Sequence, residues 1–226
     1  MRALFYPVLA TLLLSAAQPL AAQEIVYGYQ AGLTFSTFAG EDVDFDNRTG
    51  FVTGGFARLP LTDLFSLQAE LAFVHKGGHK TEYTTALDPP QSVNFKRNFD
   101  YLEIPVLLNY RAPTPERANA TVTAHAGPTF AVLLRSQLHE DGQFRGAARH
   151  ERTLDVREHT GAIDVGFAFG AGVDIELAGG ALFINGRYTM GLLTAYSQDE
   201  DGQAARADME MKNRTIAIFT GFSYPW

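Results

Sequence analysis

Four side chains in this sequence are of the kinds that acid–base chemistry uses: Glu70, Glu103, His125 and Arg187. Each lies in a stretch where apolar residues alternate with polar or small ones, and each falls on the polar parity. Counted from the nearest short connection, Glu70, Glu103 and Arg187 stand at similar heights, with His125 somewhat lower. Two carboxylates beside an imidazole could pass protons. The same four groups could instead neutralise one another, since a buried charge without a partner is costly. We expect the second: a structural charge cluster with no catalytic role.

Other polar clusters carry weaker chemistry. His139 is followed by Glu140 and Asp141, with Ser136 close by, but no spacing there is diagnostic of a nucleophile and its base. In "EDVDFDNRTG" (41–50), Asp42, Asp44 and Asp46 have the rhythm of a calcium loop. The sixth position is Asn47 rather than Gly, however, and the twelfth is Thr53 rather than Glu. "DEDGQ" (199–203) is a second acidic tip. Both read as solvated surface, able at most to share divalent cations with lipopolysaccharide phosphates, so no metal site or cofactor is expected. The absence of cysteine rules out disulfides and thiolate metal sites. A formal charge of −7 argues against a general nucleic-acid binder, which needs a basic face.

The alternating stretches must position these residues. "IDVGFAFGAGVDIEL" (163–177) puts Ile163, Val165, Phe167, Phe169, Val173 and Ile175 on one parity, with glycine, alanine and acid between them. A period of two is a β-strand with two unlike faces. The pattern recurs at 27–37, 65–76, 99–110, 121–135, 181–193 and 213–226. In "GFVTGGFARL" (50–59) both parities hold apolar residues; placing Phe51, Gly55, Ala57 and Leu59 outward turns Arg58 inward. That makes eight strands. Connections near 60–63, 111–120 and 178–180 are short. Those near 38–50, 77–97, 136–159 and 195–212 are long, and in an antiparallel meander they all fall at one end.

A soluble barrel or sandwich would turn its polar face to water. Here the non-apolar face is mostly Gly, Ala, Ser, Thr and Asn, small residues that suit a crowded narrow interior. The other face is an almost uncharged band of Leu, Ile, Val and Phe. Tyr27, Tyr29, Phe65, Tyr110, Tyr224 and Trp226 gather near the short-turn rim, as aromatic rings do at a membrane interface. A closed barrel also satisfies every backbone group in lipid. The expected fold is therefore an all-β, eight-stranded, antiparallel, up-and-down transmembrane barrel over 23–226. The start, "MRALFYPVLATLLLSAAQPLAAQ", reads as a signal peptide ending at Ala22.

The segments "GYQAGLTFSTFAG", "GFVTGGFARLPLTDLFSLQAELAF", "FDYLEIPVLLNY", "AGPTFAVLL", "GFAFGAGVDIEL", "GRYTMGLL" and "KNRTIAIFTGFSYPW" together resemble the PorT-like outer-membrane β-barrel family of Bacteroidota-type bacteria. The resemblance spans nearly all of 23–226. It implies an outer-membrane address and a terminal aromatic, Trp226, read by the barrel-assembly machinery. It implies little biochemistry.

The leading expectation is a non-enzymatic integral barrel with a structural or interaction role. Its partners would be outer-membrane lipid, lipopolysaccharide and an envelope protein met through the long loops, with no nucleic acid. A small-solute channel, a hydrolase built on the loops and a soluble lipocalin-like binder are the alternatives.

Overall fold

The computed structural model describes residues 24–39, 46–84, 91–113, 115, 119–142, 150–155, 162–194 and 212–225. The expected signal peptide, the acidic tips at Asp42–Asp44 and 199–203, and Trp226 lie outside the described residues. Among the described residues there are nine strands: β1 (Val26–Ala39), β2 (Asp46–Pro60), β3 (Phe65–Thr84), β4 (Gln91–Arg111), β5 (Ala120–Gly142), β6 (His150–Asp155), β7 (Ile163–Leu177), β8 (Gly180–Thr194) and β9 (Lys212–Pro225). Eight of them close on themselves. Each pairs antiparallel with its neighbours, β1 pairs with β9, and β5 bridges β4 and β7. The ninth, β6, lies outside the ring and pairs only with the upper part of β5.

The alternation is realised strand by strand. On β4, Tyr101, Glu103, Pro105, Leu107 and Asn109 turn inward, while Ile104, Leu108 and Tyr110 face out. The ambiguous strand resolves with Val52, Phe56 and Arg58 inside and Phe51 outside. Leu71, Ile184 and Ile218 are each more than half exposed, whereas Ala72, Phe183 and Phe219 are buried. A water-soluble protein would not leave an apolar band of this size uncovered. The inner face instead holds polar groups on small neighbours.

Polar and charged side chains mark where the outer apolar belt ends. His75 bonds Asp100 on the outside, and Arg135 stands directly opposite Asp100. On β9, Arg214 donates to the carbonyls of Gly191 and Asn213. From Phe65 to His75, from Tyr110 to Asp100 and from Tyr224 to Arg214 each span is about eleven residues, the length a tilted strand needs to cross hydrocarbon. At the other end the connections are tight. Ala178–Gly179 turns β7 into β8, with Gly179 at φ 88°, a conformation other residues adopt only with strain.

Two of the four expected long loops are not chiefly loops. β3, β4 and β5 run for 20, 21 and 23 residues. Residues 78–84 and 91–97 pair with each other, and 137–142 pairs with both β4 and β6. Above His75 the outer face meets water instead of lipid, so alternating hydrophobicity no longer marks these segments as strands. About nine residues rising roughly 3.3 Å each at a tilt near 40° lift this sheet about 20 Å beyond the belt.

Candidate functional site

The lumen is filled by layers of side chains, and one residue makes the middle layer possible. His125 on β5 lies opposite Gly170 on β7, and Gly170 lies opposite Arg187 on β8. Gly170 leaves open the space between the two long side chains. A Cβ there would sit 2.6 Å from His125 Nε2 and 2.2 Å from the Gly186 carbonyl. Arg187 Nε therefore reaches across to His125 Nε2 at 3.2 Å. Because that ring nitrogen accepts, the neutral imidazole carries its proton on Nδ1.

Arg187 also forms a fork with Glu70: Nη1 donates to Oε2 at 2.8 Å and Nη2 to Oε1 at 2.7 Å. Each Glu70 oxygen accepts one more bond, from Gln30 Nε2 at 2.7 Å and from Gln68 Nε2 at 2.6 Å. Glu70 is 3% exposed, and the Arg187 guanidinium lies 4.8 Å from the Phe219 ring centre. A bidentate guanidinium with two further donors is the arrangement that makes a buried carboxylate tolerable. It also leaves that carboxylate no free lone pair directed at a substrate.

Glu103 does not join this network. Its backbone is level with Ala72, one inward step above Glu70, and its carboxylate accepts from Lys76 Nζ at 2.6 Å. Lys76 stands four residues further along β3, and its stem spans the difference. The ammonium also lies 5.3 Å from the Tyr101 ring centre. Asp164, level with Ala131 on β5, accepts from Asn213 Nδ2 at 2.7 Å. The expected four-residue cluster is thus two layers: Glu70–Arg187–His125 below, Lys76–Glu103 above. Lys76 could be placed inside by parity, but only the stagger of neighbouring strands shows which acid it reaches. A cavity of about 20 Å³ touched by Lys76, Glu103 and Arg187 separates the layers, room for about one water molecule. From Ala131, which lies opposite Glu103, the lumen is closed upward by Phe38, Phe99, Tyr101 and Leu133, an apolar stopper with Phe38 edge-on to Phe99 at 5.6 Å.

At the turn end the lumen opens. Arg58 Nη1 and Arg111 Nη2 each approach Asp174 Oδ2 at 3.4 Å. Arg58 Nε donates to Gln68, and Arg111 Nη1 donates to Glu176 at 3.0 Å. These arginines line a vestibule of about 580 Å³. The possible hydrolytic group does not assemble. His139 Nδ1 shares a hydrogen bond with Thr153 of β6, while Ser136 is fully buried. Among the described residues no three His, Cys, Asp or Glu side chains are grouped as a metal site.

A closed ring of eight strands, with its apolar side out and its polar side packed, is the geometry of an outer-membrane barrel. Residues 16–196 match the family described as outer membrane protein beta-barrel domain. The chain belongs to this family. It is accordingly a protein of the bacterial outer membrane, where such barrels keep short turns on the periplasmic side and longer connections outside.

Among solved structures, the outer membrane protein OprG from Pseudomonas aeruginosa is similar at 12% identity, over 90% of this chain and 97% of that one, with a TM-score of 0.46. Neisserial surface protein A gives 13% identity, 88% and 97% coverage, and a TM-score of 0.45. Ail, the attachment invasion locus protein of Yersinia pestis, gives 12%, 89% and 99%, and 0.43. Comparison with curated proteins returns no match.

Proposed function

We propose that this outer-membrane barrel is a non-enzymatic anchor whose working surface is the sheet formed by the upper parts of β3, β4, β5 and β6. The observation that carries this reading is the unequal length of the strands. β3, β4 and β5 have 20 to 23 residues, whereas β1, β2, β7, β8 and β9 have 14 or 15. A barrel needed only to cross the bilayer has no use for the extra length. Cross-strand hydrogen bonding makes the projection stiff, which lowers the ordering cost of binding a partner. Thr81 donates to Asn94 at 2.7 Å across the β3–β4 hairpin, and His139 bonds Thr153 across β5–β6.

On this reading the partner is a protein at the cell surface or in the envelope. The remaining partners are those of any such barrel: lipid and lipopolysaccharide around the belt, and the barrel-assembly machinery, with Trp226 as its terminal signal. Glu70, Arg187, His125 and the Lys76–Glu103 pair serve to fill and lock the interior. The PorT-like subtype and the signal peptide over 1–22 belong to the same proposal.

The test is a pull-down from detergent-solubilised envelope, using the full chain and variants in which the β3–β4 and β5–β6 projections are cut back to short turns. Loss of a captured protein from the shortened variants, with the barrel still folded, supports the reading. Capture that survives both truncations refutes it. A second reading, a small-solute channel, draws on the open vestibule. The two ion-pair layers and the stopper above them oppose it, and clear single-channel steps in a planar bilayer would restore it.

A further inference from the structure

At the outer edge of the apolar belt, β5 breaks its own alternation. Against β4 the pairing runs Leu102↔Val132, Tyr101↔Leu133, then Asp100↔Arg135, so Leu134 is an extra residue. A bulge of this kind re-aims the side chains beyond it. Strict alternation after the buried Leu133 would turn Arg135 into the lumen and Ser136 outward. Instead Leu134 and Arg135 are both exposed, and Ser136 is fully buried. One apolar and one cationic side chain thus stand next to each other on the outside, at the height where the belt ends. Packing the lumen does not require that.

The outward side chains just above are polar. Asn98 lies opposite Gln137, and the exposed Lys96 lies opposite His139. With its amide oxygen turned to Arg135, Gln137 accepts from Nη2 at 3.0 Å, which steadies the guanidinium. Arg48 crosses Gly77, the residue level with Asn98, and donates to the Arg97 carbonyl at 3.2 Å. Among the described residues, no carboxylate pairs with Arg48, Lys96 or Arg135. The nearest acids are engaged elsewhere: Asp100 bonds His75, and Asp46 lies 3.4 Å from His79. Asp155 and Asp141 stand further out, beyond Gln137 and His139. Near this height β7 and β8 carry Ile163 and Leu192, each more than half exposed, so the cations gather on one side of the rim.

From Asp100, beside Arg135, to Lys96 is four residues, about 13 Å at roughly 3.3 Å each. Two long side chains reaching toward each other across Asn98 and Gln137 leave room for one compact anion. Directly below, Val132 and Leu134 are exposed to the acyl chains of the outer leaflet. The group that lies just above those chains is the lipid headgroup. A phosphomonoester there carries a charge of about −1.5 to −2 and three strong acceptor oxygens. A guanidinium meets it with a fork and an ammonium as a point charge.

We propose that the outer faces of β4 and β5, just beyond the belt, hold the phosphate of lipid A, a phosphomonoester borne on an acylated sugar. Arg135 forks the phosphate from the belt side and Lys96 closes on it from above. Arg48 adds positive potential, and the acyl chains run down past Leu134 and Val132. This gives a site to the lipopolysaccharide contact in the reading above, on which it rests. It is independent of protein capture by the projecting sheet, and the two are tested separately.

The experiment uses the full chain refolded in zwitterionic detergent micelles, followed by amide chemical shifts. The probes are bis-phosphorylated lipid A, the same lipid stripped of its phosphates, and phosphatidylglycerol. The phosphorylated lipid should shift the Asn98 and Gln137 amides saturably. The phosphate-free lipid should not, and phosphatidylglycerol, a singly charged diester, should bind about tenfold more weakly. These three comparisons need no variant. Arg135→Gln and Lys96→Gln should each weaken binding about tenfold, and Arg135→Lys, which keeps charge but loses the fork, should weaken it less. Resonances around Glu70 should stay in place in all of them. Arg214→Gln, at the rim on β9, should leave the affinity unchanged. Equal response to the phosphate-free lipid or to phosphatidylglycerol would overturn the proposal. So would undiminished binding by the Arg135→Gln, Lys96→Gln double variant, or a loss in Arg214→Gln as large as in Arg135→Gln.

Discussion

Replacing Arg187 with Met tests how the lumen is held. The substitution keeps the volume of the stem, but it removes both donors of the fork to Glu70 and the bond to His125 Nε2. Glu70 keeps only the bonds from Gln30 and Gln68, at 3% exposure. Removing one partner of a buried ion pair costs about 3–5 kcal/mol, because the other charge is left without compensation. That is more than a hundredfold in the folding equilibrium. Glu70→Leu should cost a similar amount for the mirrored reason, since it strands the guanidinium.

The double variant loses both charges together. What it leaves are two glutamine amides each one acceptor short, at about 1–3 kcal/mol apiece. At the middle of these ranges its total falls about 4 kcal/mol below the sum of the single variants. The assay is reversible denaturant unfolding of the barrel from lipid vesicles, followed by the β-sheet circular dichroism signal. If Arg187→Met costs under about 1 kcal/mol, or if the two changes are additive, the layer is not the coupled unit its geometry describes.

Two further outcomes follow from named contacts. Leu71→Arg places a charge near the middle of the outer belt and should destabilise the inserted barrel by about 2–4 kcal/mol, while Lys96→Glu, on the projecting sheet, should stay within about 0.5 kcal/mol by the same unfolding assay. Gly170→Ala drives a Cβ against the Gly186 carbonyl and should cost about 1–3 kcal/mol and weaken the Arg187–His125 contact, read as a shift of the His125 ring resonances.

The membrane-crossing half of the fold was legible because two solvents enforce it. Lipid outside and a tight lumen inside give every residue from Tyr110 back to Asp100 one of two characters, and parity alone assigned them. It also turned Arg58 inward on a strand whose apolar residues were ambiguous. The projecting half was not legible in the same way. Around Lys96, Arg97, Gln137 and His139 the outer neighbour is water, so polar residues occupy both faces and the segment resembles a charged loop.

The charge cluster was legible by type and facing but not by partner. Glu103 and Glu70 share a parity and nearly a height, yet one meets Lys76 and the other Arg187. Which acid a long cation reaches depends on strand stagger, and on a missing side chain at Gly170. Neither leaves a mark in local periodicity. The vestibule pair at Asp174 was missed for a similar reason: Arg58, Arg111 and Asp174 come from three strands far apart in sequence. Only the inward turn of Arg58 hinted at it.

The whole arrangement requires the apolar side of the strands to face hydrocarbon. The chain has no cysteine, so single cysteines can carry spin labels without removing any native thiol. Labels at Leu67, Leu71 and Ile218 test the outer side, and one at Ser66, which lines the vestibule, tests the inner side. In vesicles, the first three should collide with oxygen and be shielded from a water-soluble relaxant, with Ser66 showing the reverse. Water-accessible labels at Leu71 and Ile218, together with an oxygen-rich environment at Ser66, would contradict it.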